Sequence, residues 1–191
     1  MADLRSFTPM AEALPPEKVV DALNVFLGTI ADIVMNQGGS VDNFIGDAMM
    51  AVFGVPVAKP DDAARAVACA LEMQNAMASV NAEIEDRGLP HLSMGIGLST
   101  GEAVAGNIGS ESRVKYSVIG SIVNLAARIE GIASGGQIFA SDATFNEIHD
   151  IVRTAGNLNV KLKGLIHPAP IYEIIGISGE YNVHKSMEAI S

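Results

Sequence analysis

The chain has 191 residues, 49% of them hydrophobic, with 19 Gly and 8 Pro, the profile of one globular domain that buries a continuous core. Its formal net charge of −10 argues against nonspecific nucleic-acid binding, which draws its free energy from Lys and Arg displacing phosphate counterions. A single cysteine, Cys69, excludes a disulfide framework or thiolate zinc site, while the lack of a ~20-residue apolar window or signal-peptide pattern predicts a soluble, cytoplasmic chain with no membrane segment.

Pro15-Pro16 punctuates an opening segment, after which Val19, Val20, Leu23, Phe26, Leu27, Ile30 and Ile33 recur at the spacing of an amphipathic helix ending near Gly38-Gly39. The two β-like runs Ser40–Ile45 and Ala48–Phe53 flank Gly46-Asp47, a hairpin signal. Asp61-Asp62 announces a second helix, whose stripe Val67, Ala70, Met73, Met77, Val80 and Ile84 stops before Gly88 and Pro90. Cys69 lies in this apolar stretch and reads as a small core residue.

Leu92 to Val104 reads as a strand pair, Val114 to Ile119 as a short strand and Ser121 to Ile132 as a third helix. Further strands are expected near Gln137–Ala140, Val160–Lys163 and Pro170–Ile175, with a short helix over Asp142–Ile148. One domain is expected over residues 1–178, followed by a solvated tail over 179–191. Interleaved strands and helices without a strict βαβ repeat predict an α/β sandwich with a mixed or antiparallel sheet.

Two carboxylates stand where chemistry is plausible. Asp3 precedes Leu4-Arg5-Ser6-Phe7-Thr8 at a strand end beside a helix start, which suits a metal held against a triphosphate. Asp47 sits on the hairpin turn, and two carboxylates are the usual protein contribution to magnesium. An Asp on a turn is also commonly structural, and position alone does not choose. Asn124 and Arg128, four residues apart, share one helix face, with Ile122, Leu125, Ala126 and Ile129 forming an apolar side. Such a pair suits a cleft or a solvated surface equally.

The segments ADLRSFT, VDNFIGDAMMAVFG and YSVIGSIVNLAARIE, in that order, resemble the motif series of the class III adenylate/guanylate cyclase catalytic domain of bacterial type. The resemblance implies an α/β (α+β) fold with a ferredoxin-like βαββαβ core and additional strands and helices. It also implies conversion of ATP to cyclic AMP and pyrophosphate, with two Mg²⁺ or Mn²⁺ ions per active site. Sites of this kind are shared across a homodimer, and regulatory domains in a longer native chain are expected. By resemblance, Asp3, Leu4 and Asp47 form the metal set, and Phe7, Thr8 and Lys163 the phosphate set. Asn124 orients the ribose, Arg128 steadies the α-phosphate, and Asn43 and Ser117 read the base.

The chain departs from the pattern at the base. Adenine-selective members carry Lys at the place of Asn43 and Asp or Thr at that of Ser117, whereas guanine-selective members place Glu and a small residue there. An Asn amide with a Ser hydroxyl can donate to adenine N1 and accept from its amine, while the Asn carbonyl can also accept from guanine. ATP is favoured, with GTP or dual use as the alternative. Gly95 stands where the family often has an Arg that reaches the phosphates, which leaves a silent nucleotide-binding or dimerisation module as a third reading. The family's first strand normally precedes the Asp3 motif, so a shortened first strand is expected.

Gly95, Gly97 and Gly101 do not form the dinucleotide fingerprint, and no Walker A loop precedes Lys163. The histidines at 91, 149, 167 and 184 are scattered, which argues against a histidine metal site.

Overall fold

Alternation in the first residues sets the first strand. Ala2 and Leu4 are buried while Asp3 and Arg5 are half-exposed, so β1 (Ala2–Arg5) turns one edge of its pleat to the core. The structure is a computed structural model that describes residues 1–110, 112–163 and 167–186. Ser6 takes a left-handed φ of 57° where β1 turns into the short helix α1 (Phe7–Ala13). Asp3 therefore lies within the first strand itself.

Helix α2 (Pro16–Asn36) starts with Pro at its first position, where the missing N–H costs nothing, and buries Ala22, Phe26, Ile30 and Val34 at every fourth residue. By length and composition it is apolar enough to cross a membrane, a correction to the expectation that no segment is. Its buried stripe belongs to the main core, shared with α3 (Asp62–Asp86). Between them, β2 (Ser40–Ile45) and β3 (Ala48–Val52) form the expected hairpin, with Ile45 paired to Ala48 and Gly46 at φ 65° in the first central position of the turn. The Arg65 guanidinium ties this region together: it donates to the Gln37 and Gly38 carbonyls at 3.0 Å and pairs with Asp61 and Asp62.

Strand β4 (Ser93–Leu98) returns antiparallel to β1. The spatial order β4-β1-β3-β2, with α2 and α3 as the two connecting helices, is the ferredoxin-like βαββαβ arrangement. Helix α4 (Ser121–Glu130) lies on β4 and on the strand β7 (Ile138–Ser141). Gly97 permits this closeness, since a Cβ there would come 2.3 Å from the Glu130 nitrogen and 2.4 Å from the Ala126 carbonyl. Strand β7 divides its side chains between two cores: Ile138 and Ala140 join the α2–α3 cluster, and Phe139 joins Ile129, Ala133, Leu162 and Ile171.

The region read as a strand pair over Leu92 to Val104 is instead β4 followed by a loop. The next strand, β5 (Val104–Ser110), begins only where the expected pair was to end and, among the described residues, pairs only with β6 (Arg113–Ile119) in a separate two-stranded arm. Glycines in both segments blur their boundary in sequence.

After α5 (Asp142–Ile148), capped by the Ser141 hydroxyl accepting from the Thr144 N–H at 3.3 Å, comes β8 (Val152–Val160). This strand ends where one was expected to begin, at Val160. Among the described residues it pairs with β9 (Ala169–Ile177) alone; Val152, Leu158 and Val160 alternate with Arg153, Asn157 and Asn159, but Thr154-Ala155-Gly156 interrupts the apolar pattern and Ala155 to Asn159 is exposed. The expected solvated segment after Ser178 adds β10 (Val183–His184) to β9, and Asn75 holds it: its amide donates to the His184 carbonyl at 2.9 Å and its Oδ1 accepts from Ser186 N–H at 2.8 Å. The rest of that tail, 187–191, lies outside the described residues.

Candidate active site

The pairing of Ala2 with Met49 carries β1 alongside β3 toward the hairpin turn, which brings Asp47 level with Asp3 and Leu4. Burial pushes the Asp3 carboxyl up to about 6; the charge of Asp47, that of Glu130 and a hydrogen bond with Asp47 act in the same direction, against the opposing pull of Arg5. Two hard oxygen donors held this close fit a small divalent cation, whose charge would relieve their repulsion. No cluster of three or more His, Cys, Asp or Glu able to hold a metal occurs among the described residues, so substrate oxygens and water would complete an octahedron. The Leu4 side chain is buried at 3%, which leaves only its backbone to serve a metal.

Arg5 flanks this pair. Its guanidinium donates to the Glu130 carbonyl at 2.7 Å and to the Glu130 carboxylate, and lies 3.6 Å from Asp3 Oδ2. Gly95 makes room for it: a Cβ at that position would lie 2.1 Å from Arg5 Nη2. A cation thus stands beside Gly95 after all, engaged with Glu130. The sequence reading missed Arg5 and Glu130, 125 residues apart; only a prediction of how α4 crosses the sheet would have joined them.

Asn124 and Arg128 are on α4, as the spacing predicted. Successive helical residues are about 100° apart, so Arg128 points roughly 200° away from Glu130, which is turned toward Arg5 and Asp3. Among the described residues no hydrogen bond or ion pair joins Asn124 or Arg128 to Asp3 or Asp47, and Arg128 has no carboxylate within 4 Å. Arg5, Arg65 and Arg87 all have one.

Asn43 is exposed on β2, and Ser117 sits half-buried on β6. The residue between them, missed from sequence, is Asp42, whose carboxylate accepts from Ser117 Oγ at 2.9 Å and from Val118 N–H at 3.1 Å. Lys163 is exposed in the turn after β8. Phe7 packs against the core, so it can meet a ligand only through its backbone, while Thr8 is exposed. A cavity of about 420 Å³ lies among β3, β4 and α4, but its lining is mainly apolar (Met50, Val52, Leu98, Ile122) and includes none of the expected site residues. The structure thus brings Asp3 and Asp47 together and, among the described residues, gives Asn124, Arg128, Asn43, Ser117 and Lys163 no hydrogen bond or ion pair to them.

Residues 1–173 match the family described as the adenylate and guanylate cyclase catalytic domain. Adenylate cyclase 1 of Rhizobium meliloti is 32% identical over 186 residues, which cover 96% of this chain and 28% of that protein. The guanylyl cyclase Cya2 is 46% identical, with a TM-score of 0.94 and coverage of 97% of this chain and 94% of that one. The adenylyl cyclase CyaB from P. aeruginosa is 32% identical, with a TM-score of 0.88 and coverage of 94% and 92%. The chain spans less than a third of the length of the Rhizobium relative.

Proposed function

The chain belongs to the adenylate and guanylate cyclase catalytic domain family, and we propose that it converts ATP to cyclic AMP and pyrophosphate in two sites shared across a homodimer. The observation that carries this reading is the separation of its polar side chains. Asp3 and Asp47 converge, while Asn124 and Arg128 face elsewhere without an ion-pair partner among the described residues. A two-fold dimer joins the first group of one chain to the second group of its partner, twice.

In such a site Asp3 and Asp47, with the Leu4 backbone, would hold two Mg²⁺ or Mn²⁺ ions. Bound there, the ions would supply Lewis acidity toward the ribose 3′-hydroxyl and the phosphate oxygens. Asn124 of the other chain orients the ribose so that its 3′-oxygen lies in line with the α-phosphorus. That oxygen gives its proton to water and bonds to phosphorus as the bond from the α-phosphorus to the bridging oxygen breaks and pyrophosphate leaves. Arg128 faces the charge that grows on the α-phosphate oxygens, and Lys163 with the Phe7 and Thr8 backbone meets the terminal phosphates.

Exposed apolar side chains support the dimer. Phe44, Val104, Val114, Tyr116 and Ile119 are 48 to 74% exposed on the β2–β3 turn and the β5–β6 arm, a surface that suits a protein interface. The substrate supports placement in the cytosol, and the greater length of the Rhizobium relative supports regulatory domains in a longer chain. The 46% identity to a guanylyl cyclase favours GTP as a second reading.

Mixing two inactive variants tests the shared site. Asp47→Asn and Arg128→Ala chains should each give no product, while an equimolar mixture recovers about a quarter of wild-type activity, because half of the dimers are mixed and each has one intact site. No recovery after verified subunit exchange would refute the shared site. Nucleotide binding with metal but no cyclic product from the wild type would favour the silent module.

A further inference from the structure

Among the described residues, the polar contacts that tie the β5–β6 arm to the rest of the molecule converge on one side chain. Among the described residues, each side-chain hydrogen bond or ion pair from the arm to another element ends on Asp42: Ser117 Oγ donates at 2.9 Å, Val118 N–H at 3.1 Å, and Lys115 Nζ stands at 3.6 Å. The Asp42 side chain is only 6% exposed. It reaches β6 because β2 has a bulge at this point: Val41 pairs with Ala51 and Asn43 with Met50, which leaves Asp42 unpaired and free to aim at β6.

This arrangement fixes more than the arm. A serine hydroxyl has one proton and two acceptor sites, and a carboxylate can only accept. With its proton committed to Asp42, Ser117 presents only lone pairs to anything else in the cleft. Adenine has an amine at C6, which donates to such an oxygen, whereas guanine has a carbonyl there, which would meet it lone pair to lone pair. We propose that Asp42 is the positioning residue that locks Ser117 as an acceptor and so biases the site toward adenine nucleotides. The inference rests on the cyclase reading and on Ser117 as the base-reading residue facing C6.

Asp42→Asn is close to isosteric. Its amide can donate to Ser117 Oγ and free the hydroxyl proton to point at the base. Rates are measured for the wild type, Asp42→Asn, Ser117→Ala and the double variant, each with ATP and with GTP under saturating Mn²⁺, alongside circular dichroism and oligomeric state. The wild type should prefer ATP, and Asp42→Asn should lower the ATP-to-GTP ratio of kcat/KM by about tenfold, the scale of a hydrogen bond exchanged for a lone-pair clash. In the Ser117→Ala background the same change should leave the ratio unmoved.

A wild type that prefers GTP overturns the proposal. So does an Asp42→Asn variant that slows both nucleotides equally, which would make Asp42 a strut for the arm only, or one that shifts the ratio equally without Ser117. Should the wild type form no cyclic product at all, the cyclase reading fails separately. The same four proteins then report the selectivity as ratios of ATP and GTP dissociation constants, with the same shift expected and an unmoved ratio refuting it.

Discussion

The metal end of the molecule and the β5–β6 arm are built on opposite terms. Asp3 and Asp47 are positioned by the best-packed part of the fold, with Ala2, Leu4 and Met49 at 1 to 3% exposure directly beneath them. Among the described residues the arm pairs only with itself, shows Val104 and Val114 at 74% and 57% exposure, and has its polar ties to the rest of the chain on Asp42. The Asp3–Asp47 end of the proposed site is therefore set by folding alone, whereas the arm that carries Ser117 needs a second chain to cover its apolar side chains.

Substitutions that separate chemistry from assembly test that contrast, and Asp47→Asn has the largest expected effect. It should lower cyclic-nucleotide formation by roughly 10²–10³-fold or more, the scale of losing a group that faces transition-state charge. Metal-free thermal stability should hold or rise, because the repulsion on Asp3 is relieved. A fall in both activity and melting temperature would mean that Asp47 is structural. Next in size is Val114→Asp, which should weaken the dimer by about 2 kcal/mol or more, roughly 30-fold in Kd. Activity should then drop on dilution while the melting temperature of the monomer is unchanged; sedimentation velocity reads the assembly directly. A variant that remains as tightly dimeric as the wild type would remove the arm from the interface.

The same contrast explains what could be read from the sequence. Elements packed on the main core were the most legible: the stripe read for α3 is buried throughout, and in α2 Phe26 and Ile30 lie on the buried face although Val20 is 53% exposed. The β2–β3 hairpin was legible from its Gly46-Asp47 turn, since β2 itself is largely exposed. β5 and β8 were misplaced because most of their residues are exposed and glycines interrupt the apolar alternation in both. The resemblance supplied Asp3, Asp47, Asn124 and Arg128, and the structure shows Asp3 and Asp47 converging. Asp42 was invisible, since a bulge shifts the register by one residue and nothing in Val41-Asp42-Asn43 announces it. Arg5, Glu130 and Gly95 depend on how a helix crosses a strand, which no local pattern encodes.

The smallest expected effect concerns the metal end, and its sign follows from Asp3. The folded-state value of about 6 lies above the ordinary 3.8, so between those values the folded chain keeps a proton that the unfolded chain has released. This group's contribution to stability therefore declines as pH rises from 3.8 toward 6, and above that the penalty is complete. A divalent cation binds the deprotonated pair and should offset the penalty where it is largest. At tenfold excess over its dissociation constant the cation contributes about 1.4 kcal/mol, or roughly 3 to 5 °C of melting temperature for a chain of this size. The expected shift with Mn²⁺ or Mg²⁺ is thus a few degrees at pH 7.5 and close to none at pH 5, where Asp3 is protonated. Asp47→Asn should abolish it at both values. A shift of equal size at pH 5 and 7.5, or one that survives Asp47→Asn, would place the cation elsewhere and break the assignment of the pre-formed half of the site to these two carboxylates.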